Sequence, residues 1–554
     1  MDLRTPWPSP QLKEDYDLLL EKITEQYAKT PEEIAETVKT LHPDLSSPLR
    51  YVYARAFEEV LTGLSKTPRA TYDTVCRTGL IGTLLEIALD PRLYMFHDPT
   101  SSYYHPQLGK YTTSIFFMLN RCCDWVLQST DETLGGGPYE EIVLTQLPKT
   151  QKLWALLWVN RHLFDPIAQN DIVCYLTEQE MGHHYFRDVV ISVIRNALAC
   201  HYRTVRQREQ PAWCDGVDEI LLYAWQYIDE YYWVRQHIAA AMSAHLLNRP
   251  VEKSKRSISK VITSSNVAAQ IVKAICYDLE RIQAIWGTTL MHYVTAFKLL
   301  VKYSPKFSTA VAKDPNTFRA LAFAFQRQLC SVGEDEYELN IIQDGFLIIE
   351  TMVLDHARLM HSDRLFYLQD VDAAMLLVRI GGKIVGPAIS QGRTGLQASI
   401  LAYCMMLSVA GPSLPPERYA PLARMLHQSW YYGMEELKKL GYRRGHLRFL
   451  AVENWRSLAE KLEIDTRTPP ADVEHFENLT GALLIGIVYA PDAGEHSIVM
   501  KTVRQRTGRT IEGSAEGVVE SYWDKILRTR YCLYSKCVVV LQATIAMISA
   551  VRVG

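Results

Sequence analysis

Glu180-Met181-Gly182-His183 has the Glu-x-x-His spacing that sets a carboxylate and an imidazole on one face of a helix. Di-iron bundles need two such motifs and two further glutamates. The chain has no second copy, and Gly182 weakens the helix, so His183-His184 beside Tyr185-Phe186 reads better as a packed helix start. His356, with Asp355 and Glu350 near it in sequence, could act as a general base. It sits on an apolar stripe, where a histidine is far more often simply hydrogen-bonded. Gly386-Pro387-Ala388-Ile389-Ser390-Gln391-Gly392-Arg393-Thr394 has the outline of a phosphate loop. Its glycines stand one residue too far apart, Arg393 replaces the loop's lysine, and a helix rather than a strand is expected before it. A helix–helix turn is the better account, and Gly135-Gly136-Gly137-Pro138 reads as an exposed turn. Gly-x-Ser-x-Gly, His-Glu-x-x-His and a Cys/His nucleophile pair are all missing from the sequence. No catalytic residue, cofactor or metal ligand is therefore assigned.

Two other residue classes could bind rather than react. Trp154 and Trp158 lie one turn apart, and Tyr223, Trp225, Tyr227, Tyr231, Tyr232 and Trp233 crowd what reads as one helix. Aromatic residues and arginine anchor interfaces, so such a cluster could hold a partner peptide. Because the rings occupy several faces, a helix buried on most sides is the preferred reading. Lys253, Lys255, Arg256 and Lys260 form a basic run among serines, and Lys501 to Arg509 forms another. Both read as solvated loops, the first also resembling a weak nuclear-import signal. The net charge is −3 and the pI about 6.6, so no global field favours nucleic acid, and none is expected as a partner.

The elements that would carry these residues are helical. Thr30-Pro31-Glu32-Glu33, Ser47-Pro48 and Asp314-Pro315 are helix starts, and Lys438-Lys439-Leu440-Gly441 is a stop. Val272, Ile275, Leu279, Ile282 and Trp286 step by three and four. So do Leu290, Val294, Phe297 and Val301, and then Ile342, Phe346, Ile349, Val353, His356 and Met360. The one serious strand candidate is Met375–Val385, turned at Gly381-Gly382. A helix capped by Asp370 that stops at those glycines is preferred. Connectors are expected at Pro91–Lys110, Thr130–Pro138, Arg206–Asp215, Arg249–Lys260, Ser304–Asp314, Gly411–Pro416, Thr466–Pro470 and Pro491–Gly513. Their even rhythm predicts an all-α fold, an armadillo- or HEAT-like α-solenoid of helix pairs, with an irregular multi-helix bundle as the alternative. The expected organisation is a repeat-like region over 1–490, a polar basic loop over 491–513 and a C-terminal helical piece over 514–554.

At 554 residues, 48 % hydrophobic and 22 % charged, the chain has ordinary globular composition. Met1–Pro10 lacks an apolar core, so a cytoplasmic or nuclear location is expected. The eleven cysteines suit buried, reduced positions, among them Cys76, Cys174, Cys200, Cys276, Cys330 and Cys404. From Val538 to Val551 the chain is largely apolar. A docked final helix is the favoured reading; a tail anchor is the alternative, although the run is shorter than the roughly 20 residues a span needs.

With its degenerate helix pairs and aromatic-rich helices, the chain resembles large armadillo/HEAT-like helical proteins of mushroom-type fungi, many of which end in a MYND zinc finger. Tyr531-Cys532 and Cys537 match the central part of that finger. Their gap is one residue wider than the family's, the upstream Cys-x-x-Cys is missing, and no His or Cys follows. Two thiolates do not complete a tetrahedral site, so zinc is not carried over. The expected role is a non-enzymatic scaffold or protein-interaction module with an unidentified protein partner. The alternatives are an enzyme of a helical class, with Glu180, His183, Asp355 and His356 as the first places to look, or an adaptor held at a membrane by its tail. Deleting residues 537–554 should leave the chain's partition on cell fractionation unchanged. Release of a membrane-bound chain by that deletion would instead mark the run as an anchor.

Overall fold

The computed structural model describes residues 79–95, 108–129, 145–164, 185–204, 215–226, 232–281, 285, 287–314, 316–330, 335–359, 370–440, 445–464, 466, 469–470, 486–489 and 498–501, with single positions 14, 18, 21, 22, 36, 39, 40 and 42. Among these the protein is all-α, built from sixteen α-helices with one short strand pair. The chain divides into two compact units, residues 1–274 and 275–554.

The first unit contains α1 (Leu80–Ala88), a 3-10 turn (Pro91–Tyr94), α2 (Leu108–Ser129), α3 (Thr150–Val159), a 3-10 turn (Arg161–Phe164), α4 (Tyr185–Thr204), α5 (Val217–Trp225), α6 (Tyr232–Asn248) and α7 (Val251–Val261). Helix α2 packs on α1 and α4, α4 on α6, and α5 on α3, α6 and α7. Helix α8 (Ser265–Arg281) carries the division between the units.

The second unit continues with α9 (Gly287–Tyr303), α10 (Pro305–Lys313), α11 (Asn316–Cys330), α12 (Asp335–Leu359), α13 (Val371–Ser390), α14 (Thr394–Ala410), α15 (Pro416–Lys439) and α16 (Gly445–Lys461). Strands β1 (Gly486–Tyr489) and β2 (Ile498–Lys501) pair antiparallel, and β2 lies within the segment read from sequence as a polar loop. Here α11 packs on α12 and α13, α12 on α14, α13 on α14 and α15, and α16 on α14 and α15.

Local signals explain several boundaries. Asp370 caps α13 by accepting from Ala373 N at 3.0 Å. Asp314 accepts from Asn316 N at 3.1 Å as α11 begins. Val272, Ile275 and Leu279, then Leu290, Val294, Phe297 and Val301, then Ile342, Phe346 and Ile349 are buried as their spacing requires.

Three expectations are corrected. Met375–Val385 is helical, but α13 does not stop at Gly381-Gly382; it runs through Pro387 to Ser390. Its stop comes at Gly392, whose φ of 76° lets Gly392 N reach Ile389 O and Arg393 N reach Ala388 O, a Schellman ending. Arg249–Lys260 is mostly helix α7, because Ser254 and Ser257 share the buried face with Ile258 and Val261 and hide the apolar period. Ser304–Asp314 is mostly helix α10, capped by Ser304, which accepts from Phe307 N, with Pro305 in the first turn.

The glycines inside α13 serve close packing. A Cβ on Gly382 would meet Ser429 Oγ at 2.1 Å and Ser429 O at 2.7 Å, and one on Gly386 would meet Glu436 Cβ at 2.8 Å. Gly433 of α15 is pressed likewise against the Trp455 indole of α16. Ser429 Oγ donates to Val378 O at 2.6 Å. Trp430 and Trp455 each donate an indole N–H to the other's carbonyl, at 2.6 and 2.9 Å. Gly382→Ala should destabilise the protein by about 1–3 kcal/mol through overpacking. Gly395→Ala, where nothing lies within 4 Å of the new methyl, should be neutral or stabilise by about 0.5 kcal/mol. Thermal unfolding of the two variants side by side tests the contrast.

Candidate functional site

The residues singled out for chemistry do not form a site among the described residues. Glu180, His183 and His184 lie outside them, as do Gly135–Pro138 and Cys532 to Cys537. Asp355 and His356 fall within α12, and their side chains are not described. Glu350 accepts from Ser399 Oγ at 2.6 Å, tying α12 to α14. The phosphate-loop look-alike is the end of α13 and the turn into α14. There Arg393 donates to Asn340 Oδ1 at 2.5 Å and Gln343 Oε1 at 3.1 Å, fastening the turn to α12. No group of three His, Cys, Asp or Glu side chains suited to a metal occurs among the described residues.

Among the described residues a polar cluster lies where α5, α6 and α7 meet, and sequence reading missed it. Arg249, at the α6–α7 corner, donates through Nη1 to the Asp218 carboxylate and to Ser257 Oγ at 3.0 Å, and through Nη2 to Asp215 Oδ1 at 3.2 Å. His245 Nε2 stands 3.9 Å from Asp218 Oδ1, and both side chains are fully buried. Beside them Lys260 Nζ meets Glu219 Oε1 at 2.6 Å and Lys253 Nζ meets Asp215 at 3.7 Å. Burial raises the Asp218 pKa, and the Arg249 charge and hydrogen bond oppose that rise. Burial, then the Arg249 charge, pushes His245 down to about 3. An aspartate held by arginine, beside a histidine whose burial disfavours its charged form, ties three helices together. The only sequence signal for this cluster was the basic run, half of whose chemistry is thus structural.

A carboxylate–imidazole–phenol chain is also present in the first unit. His42 Nε2 is 3.0 Å from Asp90 Oδ2, and Nδ1 is 3.2 Å from Tyr111 OH. Arg92 clamps the same carboxylate at 2.6–3.0 Å. Burial opposes ionisation of Asp90, yet the Arg92 hydrogen bonds and charge and the His42 charge together hold its pKa below the usual value. Tyr111 is only 3 % exposed.

The aromatic residues separate into two groups. Tyr223 and Trp225 end α5, whereas Tyr232 and Trp233 begin α6, so the cluster expected on one helix belongs to two; Tyr227 and Tyr231 are outside the described residues. Trp154 and Trp225 are fully buried. Trp158 is half-buried and meets Tyr223 edge-on, with ring centroids 6.2 Å apart. The Arg161 guanidinium lies 4.5 Å from the Trp158 ring centroid and 5.7 Å from that of Tyr223.

The described cysteines Cys122, Cys123, Cys200, Cys276 and Cys404 are buried in the core and not joined in disulfides. Burial pushes Cys404 up to about 12, which leaves it an unreactive thiol. Two segments, Val371–Ser390 and Thr394–Ser413, are long and apolar enough to cross a membrane by composition, but the fold buries 72 % of one window and 50 % of the other. A core helix gives the same signal. The apolar run after Lys536 lies outside the described residues.

No family model matches the chain, and no curated protein matches it. Among solved structures, an engineered protein aligns at 14 % identity over 77 % of this chain and 98 % of its own, with a TM-score of 0.21. A likeness that low carries no argument about fold or role.

Two histidines among the described residues, fully buried His245 and half-buried His237, give a pH dependence. His237 is pushed down to about 3 by burial and then by Arg195, as His245 is by burial and Arg249. Between pH 3 and 6.5 the unfolded chain binds the protons that the native one refuses, so stability rises with pH through that window and levels above it. Each histidine contributes up to about 1.4 kcal/mol per pH unit. Asp218, whose pKa is raised, works in the opposite direction above 3.8. Urea midpoints between pH 5 and 7.5 should show the rise. Pairing His237→Gln with His245→Gln should flatten it, and an unchanged slope would show that neither imidazole is the source.

Proposed function

We propose that this chain is a helical scaffold that binds other proteins, built at least in residues 275–554 as a stack of helix hairpins. One observation carries the reading. Helices α11–α12, α13–α14 and α15–α16 pack as sequential pairs, and each of α11, α12, α13 and α14 also packs on the helix two further along. That next-but-one contact is how a two-layered α-solenoid buries its faces, with each pair resting on its neighbour. The interior polar side chains support it. Arg249, Glu350, Arg393 and Ser429 each tie one helix to another, which is a use of polarity that fixes register between helices.

A compact chain of 554 residues has a radius of gyration of about 24 Å. Small-angle scattering from the purified chain should give a clearly larger value with an elongated distance distribution. Proteins that co-purify with the full chain should, when purified separately, reconstitute a complex of fixed stoichiometry in size-exclusion chromatography with light scattering. A radius near the compact value would remove the stacked architecture. Failure of every candidate to reconstitute would remove the scaffold role.

A further inference from the structure

Helix α7 divides its serines between two faces. Ser254 and Ser257 are buried, and Ser257 Oγ accepts from Arg249 at 3.0 Å. Ser259 is exposed, as are Lys255, Arg256 and Lys260 on the same side of the helix. Arg256 stands three residues before Ser259 and Lys255 four, each one turn back. Of the hydroxyl residues between Ser254 and Ser265, Ser259 alone has an arginine at that distance. Its hydroxyl donates to Arg256 O at 2.8 Å. The helix is held to α5 by modest means. Its 11 residues bury two large apolar side chains, Ile258 and Val261. Lys260, one residue after Ser259, reaches Glu219 of α5 at 2.6 Å; the lysine side chain is 61 % exposed and the glutamate 6 %.

An arginine three residues before a serine is the charge pattern that basophilic protein kinases select, because carboxylates in the kinase groove pair with the guanidinium. Such kinases take the acceptor in an extended segment, so α7 must open first. Opening it uncovers little apolar area, which places α7 at the low end of local unfolding free energies. We infer that Ser259 is a phosphorylation site for a basophilic Ser/Thr protein kinase, and that the phosphate loosens α7 from α5. In the transfer, Ser259 Oγ forms a bond to the γ-phosphorus of ATP as the bond from that phosphorus to the β–γ bridging oxygen breaks. ADP leaves with the electron pair, and the hydroxyl proton passes to the catalytic base of the kinase. The new group has no hydroxyl to donate to Arg256 O, and its negative charge falls in the last turn of α7, where the helix dipole opposes it. It also offers Lys260 a dianion one residue away. Glu219 then keeps a buried carboxylate with a weakened tie, which is the costly state for a charge out of water. This inference does not depend on the scaffold reading.

The test incubates the folded full chain with the purified catalytic domain of an arginine-directed Ser/Thr kinase and Mg-ATP, and locates the phosphate by peptide mass spectrometry. Phosphate should appear on Ser259, and Ser259→Ala should abolish its incorporation into residues 250–264. Arg256→Gln should slow the initial rate about tenfold or more at an unchanged unfolding temperature, and Arg256→Lys should retain part of it. Amide hydrogen exchange over α7 should then rise about tenfold or more in the phosphorylated chain and stay unchanged in kinase-treated Ser259→Ala. Incorporation indifferent to Ser259→Ala or to Arg256→Gln would overturn the site. So would a folded chain left unlabelled, whether or not a synthetic peptide of residues 250–264 is phosphorylated. Unaltered exchange in a chain phosphorylated at Ser259 would overturn the loosening of α7.

Discussion

Close approach of α13 and α15 is the constraint on which residues 275–554 depend. Gly382 and Gly386 leave room for Ser429 and Glu436, and Gly433 leaves room for the Trp455 indole. With the backbones this near, Ser429 reaches Val378 O and the two tryptophans exchange indole bonds with each other's carbonyl. Helix carbonyls normally spend their acceptor capacity inside the helix. Here they also accept from a neighbouring helix, which costs little only because the donors are buried and have no better partner. Three helices are fixed in register by one seam of small residues.

The unit over residues 1–274 achieves the same end by charge. Arg249 draws Asp218, Asp215 and Ser257 together across α5, α6 and α7, and the surrounding burial makes the pair expensive to break rather than strongly stabilising to keep. His245 stays neutral in that setting. The cluster sits at a corner where α7 has serines on its inner face and little apolar area to contribute. Arg161 is the contrasting case. It has the same side chain, but among the described residues its neighbours are the Trp158 and Tyr223 rings rather than carboxylates.

Much of the architecture was legible from residues alone. Asp370 and Asp314 marked true helix starts because a short acceptor side chain at that point satisfies a backbone N–H whatever surrounds it. Leu290, Val294, Phe297 and Val301, and Ile342, Phe346 and Ile349, are buried as their stripes predict, because the helical period places those side chains on one side before any partner is known; Val353, His356 and Met360 lie outside the described side chains. Cys200, Cys276 and Cys404 are buried as their apolar neighbours in sequence suggest, while Cys76, Cys174 and the Cys330 side chain lie outside the described residues.

Tertiary structure alone decided the rest. Gly381-Gly382 has the composition of a turn, and only the arrival of Ile400 and Ser429 shows that it is a helix interior kept clear for close packing. Helix α7 was hidden because serine is polar by type yet small enough to bury. The place of Arg161 beside the Tyr223 ring is not visible in sequence, since the two lie some sixty residues apart. Capping and periodicity are local and survive in the sequence. Close approach and charge compensation are relations between distant segments, and they exist only once the helices have packed.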